Sequence, residues 1–187
     1  MPILAHECDI FPEDLLVREE LDCNGEANWW AVYTRSRQEK ELMRGLHRLE
    51  IPFYCPIVPQ RFRSPGGRSR TSYLPLFRNY LFMHCDGFDR HRALKTNFIS
   101  RTIEVKNGPE LTHDLRQIQR LIELGAPLTL EARLQPGTRV RIKNGPLAGI
   151  EGLILQRQGK NLLLVAVNFL QQGASVKLDD FIVERID

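Results

Sequence analysis

The 187-residue chain predicts an α+β fold: a split β-α-β sheet domain followed by a small β-barrel. Three observations carry this. Up to about residue 125 the patterns run strand, helix, strand, strand, helix, strand, helix, the order of one sheet with helices on one face. From Pro136 the texture changes to short β-branched runs separated by Asn144-Gly145-Pro146, Gly149, Gly152, Gly159-Lys160-Asn161 and Gly173. Several short strands in about fifty residues suit a small barrel. Residues 126–134 lie between the two textures and read as a short linker.

The elements follow in order. Residues 1–27 show no sustained periodicity and one apolar cluster (Phe11, Leu15, Leu16, Val17) among acids. They read as a flexible acidic extension, or a short docked turn, or a peptide that binds a basic groove. Trp29-Trp30-Ala31-Val32-Tyr33-Thr34 is aromatic and β-branched, a buried strand. Ser36-Arg37-Gln38-Glu39 is a capping-box pattern. Leu42, Leu46 and Leu49 recur at helical spacing behind it, with Lys40, Arg44, His47 and Arg48 opposite. Pro52 ends the helix.

Phe53–Val58 reads as a second strand. Arg61-Phe62-Arg63 and Arg68-Ser69-Arg70 flank Pro65-Gly66-Gly67, a basic hairpin. Asn79–His84 is a further strand, followed by a short helix around Phe88–Lys95 and a strand around Ile99–Val105. Thr112 is a candidate cap for a helix bearing Leu115, Ile118 and Ile122, closed by Gly125 and Pro127. In the second part Val140 and Ile142 alternate with Arg139, Arg141 and Lys143. Leu162–Val167 is apolar on both faces, so periodicity alone does not separate strand from helix.

Composition narrows the function classes. The charged fraction is 26% and the hydrophobic fraction 42%, ordinary for a globular protein. No apolar run approaches the ~20 residues that span a bilayer, and no signal peptide is recognisable, so a cytoplasmic protein is expected. The net charge of +3 hides an uneven distribution. Residues 1–34 carry eight acids and one base, residues 35–101 fourteen bases and five acids, and the remainder eleven bases and ten acids. The basic middle invites a nucleic-acid partner, with a merely solvated basic face as the alternative. Cys8, Cys23, Cys55 and Cys85 form no Cys-x-x-Cys pair. They read as free thiols without a metal site. No phosphate loop, nucleophile elbow or zinc spacing is present, which speaks against an enzyme and implies no cofactor.

Two segments carry a family resemblance. Trp29–Thr34 and Pro75-Leu76-Phe77-Arg78-Asn79-Tyr80-Leu81-Phe82 resemble the N-terminal (NGN) domain of NusG-type transcription factors. Thr138-Arg139-Val140-Arg141-Ile142-Lys143-Asn144-Gly145-Pro146-Leu147-Ala148-Gly149-Ile150-Glu151-Gly152 is similar to the KOW motif. The Pro-Leu-Phe-x-Asn-Tyr-Leu-Phe segment looks closer to the specialised, RfaH-like branch. The resemblance implies a ferredoxin-like NGN domain over 28–125 and an SH3-like KOW barrel over 135–187. It also implies a monomeric elongation and antitermination factor, with no membrane partner.

The same resemblance implies sites. Tyr33, Phe77, Tyr80 and Phe82 fall on the apolar patch that docks on the clamp helices of RNA polymerase. Sheet core is the alternative for each. His91 falls on the histidine of the gate-loop contact, although Arg92 and Ala93 replace two threonines there. Arg78 stands where the family usually has proline and puts a charge beside the patch. Arg35, Arg37, Gln38 and Lys40 lie near the start of the first helix, and Arg68 and Arg70 on the hairpin. They are candidates for the non-template DNA strand, since Arg and Gln can read exposed bases. Leu147, Ile150 and Phe169 fall on the surface by which the KOW domain recruits a second partner, ribosomal protein S10 or Rho. Each could instead be barrel core. Two rival functions remain open: a KOW-containing RNA-binding or ribosome-associated protein, and a housekeeping NusG that recruits Rho.

Overall fold

The structure, a computed structural model, describes residues 7–17, 27–63, 67, 69–125, 128–131, 137–157, 160–178 and 183–186. The chain divides into two compact units, residues 1–108 and 109–187.

In the first unit the strands are β1 (Ile10–Phe11), β2 (Asn28–Thr34), β3 (Phe53–Tyr54), β4 (Ile57–Arg63), β5 (Ser69–Pro75), β6 (Tyr80–Cys85) and β7 (Ile99–Glu104). Helices α1 (Glu39–Arg48) and α2 (Gly87–Leu94) lie between them. Five strands form one sheet in the order β1-β3-β6-β2-β7, with every neighbouring pair antiparallel. β4 and β5 pair with each other as a separate ribbon.

Alternation along the strands sorts the side chains. Val32, Leu81, Met83 and Cys85 join Leu42, Met43 and Leu46 of α1, together with Ile51, Phe53, Ala93 and Ile99, in one buried cluster. The helical spacing of Leu42 and Leu46 thus marks the face that α1 buries.

In this unit two local expectations are corrected and the reading of the N-terminal extension is narrowed. Gln38, not Ser36, occupies the N-cap of α1, and no side chain caps it. Glu39 instead accepts from the Asn79 amide at 2.8 Å, which ties the start of the helix to the turn before β6. The expected strand over Phe53–Val58 is interrupted at Cys55-Pro56, where proline has no amide to donate: β3 ends at Tyr54 beside β1, and β4 starts at Ile57 and pairs with β5. Lastly, the N-terminal extension is docked over residues 7–17. β1 adds a strand at the sheet edge, pairing Ile10 with Tyr54 and Phe11 with Phe53. Leu15 and Leu16 are wholly buried. The apolar cluster that sequence left among acids is a small anchor, and its burial offsets the entropy of ordering the segment.

In the second unit α3 (Gly108–Glu123) is followed by β8 (Thr129–Glu131), β9 (Thr138–Ile142), β10 (Glu151–Arg157) and β11 (Lys160–Val167). A 3-10 turn (Asn168–Leu170), β12 (Gln172–Lys177) and β13 (Val183–Arg185) complete it. The six strands form an antiparallel sheet in the order β13-β9-β10-β11-β12-β8. The apolar run Leu162–Val167 is a strand, with Leu163, Leu164 and Val165 buried. Part of the stretch read as a linker, Thr129–Glu131, is a strand paired with β12.

α3 begins four residues before Thr112, which is buried within it rather than capping it. All but the first residue of α3 fall in the second unit, where sequence placed the helix in the first domain. Its polar ties include two to the 3-10 turn. Asp114 accepts from the Asn168 amide at 2.9 Å, and Glu110 from Asn168 Nδ2 at 3.2 Å. Periodicity identifies an amphipathic helix but not the sheet it belongs to.

Candidate functional site

At one end of the first unit's sheet, three side chains stand in a row across neighbouring strands. Tyr80 of β6 lies opposite Tyr33 of β2, and Tyr33 lies opposite Arg101 of β7. The two tyrosine rings meet edge to face, with centroids 5.1 Å apart. The Arg101 guanidinium lies over the Tyr33 ring at 5.1 Å. Both tyrosines are half-buried and Arg101 is exposed, so the row presents aromatic surface with a cation at its end.

The turn beneath the row is pinned. Thr34 donates its amide to Asn79 O at 2.8 Å, and Tyr80 to Phe77 O at 3.2 Å. Asn79 has φ 62°, a left-handed conformation that asparagine tolerates. Arg78 beside it is exposed.

Two residues expected in this patch are elsewhere. Phe77 and Phe82 are fully buried, with centroids 6.4 Å apart. They belong to the core behind the row and offer no docking surface. Phe82 shares a strand face with Tyr80, but it lies two residues further into the sheet, where burial is complete. His91 is exposed on α2. That helix is capped by Asp86, which accepts from the Asp89 amide at 2.7 Å, and Phe88 on it is 72% exposed. Arg90 stacks over Trp30 at 4.7 Å, so it acts as packing rather than as a free cation.

The nucleic-acid candidates divide similarly. Arg35 and Arg37 are exposed, with Gln38 half-buried beside them. The Arg35 amide donates to Phe98 O at 2.9 Å, which joins this turn to the segment after α2. Phe98 also lines a cavity of about 310 Å³ with Gly45, Arg48, Leu49, Arg92, Lys95 and Thr96. Three cations and no acid line it, together with Phe98 and Leu49, and one of the three, Arg92, is ion-paired with Asp89 at 2.7 Å. Lys40 is half-buried near Glu7. Arg68 and the side chain of Arg70 lie outside the described residues. On the paired strand Arg61, Phe62 and Arg63 are exposed, with Phe62 at 49%.

In the second unit Leu147 and Ile150 are buried core, not partner surface. The Ile142 amide donates to Ile150 O at 3.0 Å and the Gly149 amide to Ile142 O at 2.8 Å. This closed turn directs both side chains inward. Phe169, in the 3-10 turn, is half-buried and still reachable.

Among titrating groups, burial pushes the Cys85 thiol up to about 12 and raises Cys55 further, which leaves both as inert neutral thiols. Burial also raises Asp114 to about 6, against the opposing hydrogen bond from Asn168. Among the described residues no group of three or more His, Cys, Asp or Glu is placed to hold a metal ion. No described helix is long and apolar enough to cross a membrane.

Sequence reasoning missed Arg101 and the Arg48–Arg92–Lys95 cavity. Their partners come together only through strand and helix pairing, a signal absent from local spacing.

Comparison with known proteins places most of the first unit, together with α3, in a family match. The family model described as "Transcription termination factor nusG" matches residues 27–122, just over half of the chain. A solved structure of Thermotoga maritima NusG aligns at a TM-score of 0.44 and 19% identity, covering 86% of this chain and 98% of that one. A search of the curated proteins finds no match.

Proposed function

The chain belongs to the NusG family of transcription factors, and we propose that it is an elongation and antitermination factor of the specialised, RfaH-like kind. It docks on RNA polymerase through its first unit. The Tyr80–Tyr33–Arg101 row is the observation that carries this reading. Half-buried tyrosines on a rigid sheet lose little entropy on binding and bury large area. They are the residue type that dominates interface energetics. A helix tip offers apolar side chains to the two rings, and an acid on it pairs with Arg101. His91, on the outward side of α2, contacts the gate loop. Bridging two mobile parts of the polymerase holds its clamp closed, and pausing and termination fall.

The non-template DNA strand runs over the basic face of the same unit. The Arg35 amide ties the turn of Arg35, Arg37 and Gln38 to Phe98, which lines a cavity where Arg48 and Lys95 receive phosphates and the apolar side chains receive a base. The hairpin contributes Arg61, Arg63, Arg68 and Arg70. The second unit acts as a KOW-type, SH3-like barrel that recruits a second partner, ribosomal protein S10 or Rho, with Phe169 as the remaining surface anchor. No catalytic step is involved, and the protein works as a monomer in the cytoplasm.

Transcription on a template with a pause site and a terminator tests this. The natural chain raises readthrough, and Tyr33→Ala/Tyr80→Ala loses that effect. Equal readthrough with both proteins, or none with either, overturns the proposal. A ribosome-associated RNA-binding protein would instead bind ribosomal RNA regardless of the tyrosines.

A further inference from the structure

The acidic N-terminal segment reaches the basic face of α1. Arg44 donates to Glu7 twice, from Nε at 3.0 Å and from Nη2 at 2.9 Å, and Lys40 Nζ lies 3.7 Å from the same carboxylate. The Phe11 ring meets His47 edge to face at 4.9 Å. Glu7, Cys8 and α1 residues Glu41, Met43, Arg44, His47 and Arg48 line an open cavity of about 510 Å³.

A forked arginine holding two carboxylate oxygens is in the geometry in which it holds two phosphate oxygens. Glu7 thus occupies the Nε/Nη2 edge of Arg44 and one side of Lys40, while Arg44 Nη1 is held by Glu41 of the same helix. The segment's attachment lies elsewhere. Asp9 O accepts from the Cys55 amide, β1 pairs with β3, and Leu15 and Leu16 are buried. Glu7 lies beyond that anchor, so its ion pair can open while residues 9–16 stay docked. A tethered carboxylate competes at a high effective concentration.

We propose that Glu7 is an intramolecular stand-in for phosphate, an ionic clasp that covers the Lys40–Arg44 pair and is displaced when single-stranded nucleic acid binds this face. The clasp rests on the reading that the face contacts DNA. It tunes affinity toward substrates that offer several phosphates at once, because an isolated phosphate gains little by replacing a carboxylate already in place.

The test is fluorescence anisotropy of a labelled single-stranded DNA oligonucleotide with the full chain, over a series of salt concentrations. Three proteins are compared: natural, Glu7→Gln, and Glu13→Gln. Glu13 is an exposed residue of the same segment, so its variant makes the same charge change away from the pair. Glu7→Gln is expected to bind about 3- to 10-fold tighter, and its salt dependence to steepen by about one phosphate contact. Glu13→Gln is expected to bind as the natural chain does. If natural protein binds and Glu7→Gln does not differ from it, or if both variants shift equally, the clasp is overturned and DNA contact stands. If none of the three binds, the clasp and DNA contact fall together, while polymerase docking keeps its own test.

Discussion

At the residue scale, the difference between Tyr33 and Phe82 sets which aromatics can meet a partner. Both lie on β-strands of one sheet, and the family motif marks both. Only the tyrosine at the sheet's end keeps exposed surface, with a hydroxyl that stays solvated. Alternation told which residues share a face but not how far along the strand burial extends. Glu39 makes a related point. Its spacing from Ser36 suits a capping box, yet its carboxylate accepts from Asn79, forty residues away. Glu39→Ala would leave that amide without its acceptor at a half-buried position. A loss of about 1–3 kcal/mol is expected from urea denaturation. Asp114 gives a pH signature. Its pKa in the fold, about 6, lies above its ordinary 3.8, so its charge opposes folding. The native state binds this proton more readily, and this contribution improves as pH falls through 6 and is complete below 3.8. Asp114→Asn keeps an acceptor for Asn168 and removes the charge. Its stability relative to the natural chain should therefore rise between pH 4 and pH 7, and a gap constant with pH would contradict the assignment.

At the element scale, α1 was readable from Leu42, Leu46 and the basic face opposite, because a helix of that amphipathicity has one way to lie on a sheet. α3 was readable as a helix from Leu115, Ile118 and Ile122, but its hydrogen bonds from Asp114 and Glu110 to the 3-10 turn at Asn168 were not, because they join residues more than fifty apart. β1 was not readable at all. A two-residue strand has no periodicity, and its pairing with β3 joins residues more than forty apart. The segment behaves as an anchored element, and Leu16→Ala should cost about 2–5 kcal/mol, measured by thermal or denaturant unfolding. In the second unit the glycines mark close approaches. A Cβ at Gly152 of β10 would overlap Leu164 O of β11, and one at Gly173 of β12 would overlap Val165 O. Gly152→Ala should destabilise the second sheet by at least about 1 kcal/mol, read as a lower unfolding midpoint.

At the scale of the whole molecule, a small net charge conceals the arrangement that matters. The acid-rich start of the chain and the basic middle meet in the first unit, where Glu7 already pairs with Arg44 and Lys40. The aromatic row stands on the same unit, on β2, β6 and β7. The two units carry different tasks in this account: the first docks and touches DNA, and the second offers Phe169 to a further partner. The central claim is that the Tyr80–Tyr33–Arg101 row holds the protein on RNA polymerase. The direct measurement is the affinity of the purified full chain for core RNA polymerase, compared between the natural protein and Tyr33→Ala/Tyr80→Ala. Both must first give the same circular dichroism and unfolding midpoint. The account predicts that the variant binds at least about 30-fold more weakly, from ~1 kcal/mol or more at each anchor. Equal affinity of two equally folded proteins would contradict it.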